Sequence, residues 1–418
     1  MKKLHRAALV SSTLATCLVA SAQAGPKVWV SMGEDSYRLL RRAGAELEQV
    51  EPFSVAVQAP LADGRVGTRD ESVYLMRVDE EALPRLSHEV HETLKKCGGF
   101  MSHTSRAAGR KAIAEFRESA QRAVKPAVSY LIDDQAEVNP LLSQVQESNI
   151  RSTIVKLSTE YKNRYYSTTG GVNSSNDLYN TWKTLAGGRT DVTVSQFSHS
   201  WAQKSVILEI KGTTNPGKII VIGGHLDSTI GNTGENSIAP GADDDASGIA
   251  SLQEAMRVLL SSGYKPKRTI QFMAYAAEEI GLKGSQAIAT DYRNKNKKVV
   301  GVLQLDMTNY MGGSSDITMI TDYTNSAQNK FLKDLSAYYL PTLKVSESRC
   351  GYACSDHASW TNKSYVASFP FEAPMGQDNP YIHTANDTIS KSGNTANHAL
   401  KFAKLAVAYA VELGSDGK

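Results

Sequence analysis

Lys218-Ile219-Ile220-Val221-Ile222-Gly223-Gly224-His225-Leu226-Asp227-Ser228 is the stretch that decides the fold. Four consecutive β-branched apolar residues are too few for a helix and read as a strand buried on both faces. Two further runs have the same character, Thr269–Tyr275 and Val299–Leu305. Between the first two, Ile249, Leu252, Met256 and Leu259 repeat at helical spacing and stop near Gly263. Outward from this centre, Val192–Phe197 and Ser205–Ile210 read as strands. Ile150, Ile154 and Leu157 read as one helix face, and Ala399 to Leu413 as a final helix. Alternating strands and helices predict an α/β protein with a central sheet sandwiched by helices.

The residues just beyond each strand carry the chemistry. The first run ends in His225 and Asp227, the second leads to Glu278 and Glu279, and the third meets Asp306. Ligands of open α/β sheets gather beyond the carboxyl ends of the strands, so these groups are expected around one crevice. The loop Gly241-Ala242-Asp243-Asp244-Asp245-Ala246-Ser247-Gly248 opens the Ile249 helix and adds three aspartates. Taken singly, such aspartates are ordinary N-caps and paired glutamates an ordinary solvated face. Together, so many carboxylates need cations to share a crevice. About two histidines and three carboxylates suit two zinc ions with open positions for water or substrate. Such a pair needs one bridging carboxylate and one unligated general base. Glu278 and Glu279, being adjacent, point differently and allow one of each role. Asp227, two residues beyond His225, falls on the same side and is placed to fix the imidazole tautomer.

Composition narrows the alternatives. Lys+Arg 46 against Asp+Glu 43 is too balanced for a nucleic-acid binder, and 41% hydrophobic residues suffice for a sizeable core. No apolar stretch beyond the first thirty residues is long enough to cross a bilayer, so no membrane association is expected of the mature form. Lys2, Lys3 and Arg6, an apolar run from Ala7 to Ala20, and Ala22-Gln23-Ala24 read as a signal peptide, residues 1–24, cleaved after Ala24. Export through the periplasm to the extracellular medium is therefore an expectation. Cys97 is isolated, whereas Cys350 and Cys354 are expected to pair, since an exported chain meets an oxidising compartment. Residues 25–125 hold eleven Arg and five Lys, residues 126–418 seven Arg and twenty Lys, and sixteen of eighteen Tyr lie in the second part. Periodic segments at Ser54–Val57, Val73–Val78 and Ala107–Val124 make the first part a small α+β unit. Either a retained accessory domain or a removable prosegment fits; a hydrolytic site downstream favours the prosegment. We take residues 25–130 as a propeptide and 131–418 as the catalytic domain, with cleavage expected between Lys125 and Asn139, in the loop-like Asp133-Asp134-Gln135.

These residues resemble the M28 family of zinc peptidases, and within it the secreted bacterial leucine aminopeptidases of the Vibrio type. His225-Leu226-Asp227-Ser228, Pro240 to Gly248, Ala276-Ala277-Glu278-Glu279, Leu305-Asp306-Met307, Ile382-His383-Thr384 and Cys350-Gly351-Tyr352-Ala353-Cys354 carry the resemblance, which covers roughly Asn139 to the C-terminus. It implies a mixed, mostly parallel sheet of about eight strands and a cleaved inhibitory or chaperoning propeptide. It implies two Zn2+ per subunit: Asp244 bridging, Glu279 and His383 completing one metal, His225 and Asp306 the other. Glu278 is then the base and Asp227 the partner of His225. An apolar substrate pocket is implied at Met307, Ile320, Tyr352, Phe369, Phe371 and Ile382, walled by the Cys350–Cys354 bridge. His357 is implied to be structural or to lie just behind the ligands, and not to bind metal itself. Asp378 stands where an aromatic residue is expected.

The implied activity is removal of large apolar N-terminal residues from peptides by a monomer whose other partners are its own propeptide and a processing protease. A carboxypeptidase or glutaminyl cyclase on the same fold is the alternative, although a carboxypeptidase needs arginines at its recess and only seven Arg follow residue 126. A non-catalytic relative would have lost a ligand or the base, and here all are present.

Overall fold

The computed structural model describes residues 26–42, 47–60, 66–96, 98–121 and 126–415. The signal segment and Cys97 lie outside the described residues. In the N-terminal unit, β1 (Lys27–Gly33), β2 (Glu48–Pro60), β3 (Val66–Asp79) and β4 (Phe100–His103) form an antiparallel sheet of order β2-β3-β1-β4. Three helices accompany it: α1 (Glu34–Arg42), α2 (Leu83–Leu94) and α3 (Arg106–Gln121). This is the α+β unit that the periodic segments predicted.

The second unit begins with α4 (Gln135–Leu142), α5 (Glu147–Thr159) and α6 (Thr169–Ala186). Its elements continue as β5 (Val192–Phe197), β6 (Ser205–Ile210), β7 (Asn215–His225), α7 (Ala246–Ser261), β8 (Arg268–Tyr275), α8 (Lys283–Asn294) and β9 (Lys298–Gln304). Then come β10 (Ile317–Ile320), α9 (Ser326–Tyr339), β11 (Val345–Ser348), α10 (His357–Asn362), β12 (Ala367–Ser368), β13 (Pro370–Phe371) and α11 (Ala399–Gly414). The central sheet has six strands in the order β12-β9-β7-β8-β6-β5, with β7 parallel to both neighbours and β6 antiparallel to both of its own. The expected eight strands are therefore divided. β10, β11 and β13 form a separate three-stranded sheet, because the chain crosses from one sheet to the other between Ser368 and Pro370.

Successive strand residues face opposite sides, and the apolar runs supply both. Ile220, Ile222, Ile270 and Phe272 enter the larger core, which α5, α7 and α11 cover with Ile154, Ile249, Leu252, Phe402 and Val407. Val221, Met273 and Tyr275 enter the smaller one, closed by Ile288 of α8 and Trp360 of α10. Helix α7 stops at Ser261; Gly263, at φ 71°, takes the left-handed conformation that ends a helix without a Cβ penalty.

The seam between the units falls earlier in the chain than the loop-like Asp133-Asp134-Gln135. Val128, Tyr130 and Ile132 pack on the larger core, and Tyr130 stacks on Phe331 at 4.7 Å between ring centroids. The backbone N–H groups of Asp133 and Asp134 both donate to the Glu412 carboxylate, and Gln135 already starts α4. Residues from 128 onward thus belong physically to the second unit.

Candidate metal centre

His225 is the last residue of β7, Glu278 and Glu279 come three and four residues after β8, and Asp306 two after β9. Three parallel strands therefore deliver four of the groups side by side. Asp244 comes from the loop before α7, and this loop explains why three aspartates stand in a row. Asp245 is the N-cap of α7: its Oδ1 accepts from Gly248 N at 2.8 Å and Met307 N at 3.2 Å, and its Oδ2 from His225 N at 2.9 Å. Asp243 turns the other way, accepting from Asn309 N and Asn379 Nδ2. With its neighbours tied outward, Asp244 points into the crevice. Its own N–H donates to Asp387 at 3.1 Å.

There, Asp244 Oδ1 lies 2.9 Å from His225 Nε2, and its Oδ2 lies 3.1 Å from His383 Nε2. His225 Nε2 is also 3.5 Å from Asp306 Oδ1, and His383 Nε2 is 2.9 Å from Glu279 Oε2. His225, Asp244 and Asp306 form one cluster and Asp244, Glu279 and His383 another, each with its donor atoms within 4.8 Å of one another. Asp227 lies behind them: its carbonyl is 3.1 Å from His225 Nδ1, and its carboxylate, 3.6 Å from the same nitrogen, accepts from Glu278 N and Glu279 N. Glu278 stands beside the clusters without joining either.

The electrostatics come from burial. Every one of these seven groups, Glu278 included, is at most 5% exposed. Burial pushes the Glu278 carboxyl well up and Glu279 to about 7. Burial disfavours charge on His225 and His383, but the facing carboxylates outweigh it and hold both imidazoles well above their usual range. The same two imidazoles outweigh burial at Asp244 and hold its carboxyl low. Glu279 Oε1, Asp306 Oδ1 and His383 Nδ1 are buried without a hydrogen-bond partner. Among the described residues, no Lys or Arg pairs with Asp244, Glu279 or Asp306. Buried acceptors without donors, facing imidazole nitrogens, are what a cation of borderline softness requires, and His/Asp/Glu donors suit zinc. The residues fit the metal.

The expected pocket residues separate into two groups. Met307, Ile320, Phe369, Phe371 and Ile382 pack together with Cys350 and Cys354, which are joined as a disulfide with Cα atoms 6.0 Å apart. Tyr352 falls in a different cluster, with Val73, Leu75 and Met101 of the N-terminal unit, and its Oη is 2.8 Å from Ser31 Oγ. His357 lies against Phe369 with burial lowering its pKa to about 3, and it joins neither histidine–carboxylate cluster. Asp378 accepts from Gly376 N. Asp245 and Asp387 went unassigned from sequence; the former was visible as a cap, whereas the latter had no local signal.

The N-terminal unit lies over this centre. His88 Nδ1 is 3.2 Å from the carbonyl oxygen of His383, and the His91 ring meets the His383 ring edge-on at 5.7 Å. Gly99 N donates to Ala353 O, and a Cβ at Gly98 would stand 3.9 Å from Glu278 Oε1.

Fold and site together define a metallohydrolase with its metal donors at the strand ends of an α/β sheet. The chain belongs to peptidase family M28, whose family model matches residues 205–408. It is 38% identical over 286 residues to a probable leucine aminopeptidase of Arthroderma otae, covering 68% of this chain and 77% of that protein. It is 37% identical over 335 residues to a probable leucine aminopeptidase of Arthroderma benhamiae, covering 78% and 87%. These relatives are fungal, so they support the likeness to leucine aminopeptidases and not its bacterial subgroup. The crystal structure of Legionella pneumophila LapA aminopeptidase matches 94% of this chain and 100% of its own, with a TM-score of 0.74 and 29% identity. That coverage reaches well into the N-terminal unit.

Proposed function

We propose that this chain is a secreted di-zinc aminopeptidase, made as a latent precursor, that removes large hydrophobic residues such as leucine from the N-termini of peptides. The observation that carries the reading is the division of Asp244: one carboxylate oxygen faces His225 and the other faces His383. His225 and Asp306 would hold one zinc and Glu279 and His383 the other, with Asp244 shared between the two clusters. Bound zinc supplies a water of lowered pKa and polarises the scissile carbonyl. Glu278, beside the donors but outside both clusters, would take a proton from the attacking water as its oxygen bonds to the scissile carbonyl carbon, and return it to the amine nitrogen as the C–N bond breaks. Asp227 holds the two glutamates through their N–H groups and faces the imidazole of His225. The cluster of Met307, Ile320, Phe369, Phe371 and Ile382 receives the apolar side chain.

The contacts of α2 with His383 and the placement of the segment around Gly98 beside Glu278 support an inhibitory role for the N-terminal unit. The Cys350–Cys354 disulfide suits an oxidising compartment, and the basic, then apolar, N-terminal segment suits export. The carboxypeptidase alternative is disfavoured, because Arg164, buried behind the centre, spends its guanidinium on backbone carbonyls. The test is zinc stoichiometry by elemental analysis, together with turnover of a leucyl chromogenic amide against an N-blocked peptide. Two zincs and hydrolysis of the free-amine substrate alone are expected; cleavage of the blocked peptide instead would overturn the reading.

A further inference from the structure

Arg164 lies in the connection from α5 to α6, next to Asn163, which forms a parallel bridge with Ala239. Its side chain is fully buried. Among the described residues no carboxylate pairs with it, and its partners are backbone carbonyls. Nε donates to Leu226 O at 2.8 Å, Nη1 to Leu157 O at 3.0 Å and Pro240 O at 2.5 Å, and Nη2 to Gly241 O at 2.9 Å. Its backbone N–H donates to Ser228 Oγ at 3.0 Å, and that hydroxyl donates to Ala239 O at 2.8 Å.

These bonds have a common geometry. Leu226 stands between His225 and Asp227; Pro240 and Gly241 lead directly into Asp244. One planar fork therefore grips both chain segments that meet at the 2.9 Å approach of His225 Nε2 to Asp244 Oδ1. Gly241, at φ 51°, permits the close approach: a Cβ there would stand 2.9 Å from Arg164 Nη2. The segment of His383 receives no bond from Arg164. A buried cation with only carbonyl contacts is costly unless anions lie near. Asp387, Asp245, Asp227 and Asp244 supply that field, opposing only in part the effect of burial, which still holds the guanidinium below its usual value.

We propose that Arg164 is a positioning residue of the metal centre, setting the separation of the His225 segment from the Asp244 loop so that both donate to one cation. The inference rests on the two-zinc reading above. It makes the two metal positions unequal in their dependence on Arg164: the one built from His225, Asp244 and Asp306 depends on the fork, and the one built from Glu279 and His383 depends on it only through Asp244. Lysine keeps the charge but cannot span carbonyls in two directions.

The experiment measures zinc release from the loaded full chain to a colorimetric chelator, for wild type, Arg164→Lys and Arg164→Gln, with melting temperatures measured alongside. In both variants, release of one zinc equivalent is expected to quicken by about 10–100-fold, the usual cost of losing an outer-shell partner, with the second equivalent affected less. Release at the wild-type rate with a lowered melting temperature would make Arg164 a structural strut only. Slow release retained in Arg164→Lys alone would make charge, not position, its contribution; either result overturns the proposal. Ser228→Ala, which removes the acceptor of the Arg164 N–H, serves if the arginine variants do not fold. It is expected to quicken release of the same equivalent, and unchanged release there also overturns the proposal. A wild-type chain holding fewer than two zincs would instead defeat the two-zinc reading, so the two failures are distinguishable.

Discussion

The Asp227 carboxylate accepts the backbone N–H of Glu278 at 2.9 Å, so the group that faces His225 also holds the turn bearing both glutamates. Asp227→Asn puts an amide N–H donor where one of two backbone N–H groups now finds an oxygen. Zinc affinity should fall by about 10–100-fold, the usual effect of disturbing an outer-shell partner. Turnover should fall with it, and equilibrium dialysis against a buffered zinc series measures the affinity. Unchanged affinity would limit Asp227 to a role in folding.

Glu278 and Glu279 separate by metal content. Glu278→Gln should retain full zinc while kcat drops by about 10²–10⁴-fold, because a proton acceptor is lost and no donor is. Its KM should change little, since the base acts mainly in the transition state. Glu279→Ala should lose zinc as well as rate. Elemental analysis beside kcat decides the matter, and zinc loss confined to the Glu278 variant would reverse the assignment.

Latency should depend on the contacts of α2. Cutting the chain between Gln121 and Val128 leaves the second unit whole, because Val128 onward packs on its core. Turnover of a leucyl amide should rise on cutting. Equal turnover before and after would remove the inhibitory role.

The docking of the N-terminal unit should weaken in acid. Burial lowers His103 to about 4, well below an unfolded histidine at about 6.5. Between those values the unfolded chain binds the proton and the folded one does not, so stability declines as pH falls from about 6.5 to about 4. Protease susceptibility of the N-terminal unit in the full chain, measured across that range, should increase toward acid. His103→Gln should flatten the profile, and a profile indifferent to that change would point to other groups.

The Cys350–Cys354 bridge should matter more to substrate fit than to stability. A loop this short removes little unfolded-state entropy, so the usual 2–4 kcal/mol or so is not expected in full. Both cysteines belong to the buried cluster of Phe369, Phe371 and Ile382. The double variant Cys350→Ser, Cys354→Ser should keep zinc and show a raised KM for leucyl substrates. A large drop in melting temperature at unchanged KM would give the opposite result.

Much of the site was legible because its groups sit at the ends of strands that are themselves legible. Ile219–Ile222 and Thr269–Tyr275 announce buried strands, and the polar residues after them must then share an edge of the sheet. The trio Asp243-Asp244-Asp245 was legible as a cap and became a metal loop only by its neighbours. What stayed hidden depends on contacts remote in the chain. The Arg164 guanidinium acts on carbonyls up to 77 positions away, which no local pattern records. Strands β12 and β13 are two residues each, too short for any periodicity, and so the division of the sheet could not be foreseen. The packing of Tyr352 with the N-terminal sheet in the uncut chain is likewise a contact remote in sequence.

His225 and His383 stand 158 positions apart in the chain (383 − 225) and yet approach the same carboxylate. Each would hold its own cation, and the two positions share only Asp244, so the complete pair of sites exists only once these distant segments are assembled. Ligands that bind only the native state shift the folding equilibrium by mass action. The metal then acts as a final inspector of assembly: chains that have not closed the sheet and seated the last loop fail to retain it. Zinc supply would then set how long a molecule resists proteolysis as well as how fast it works.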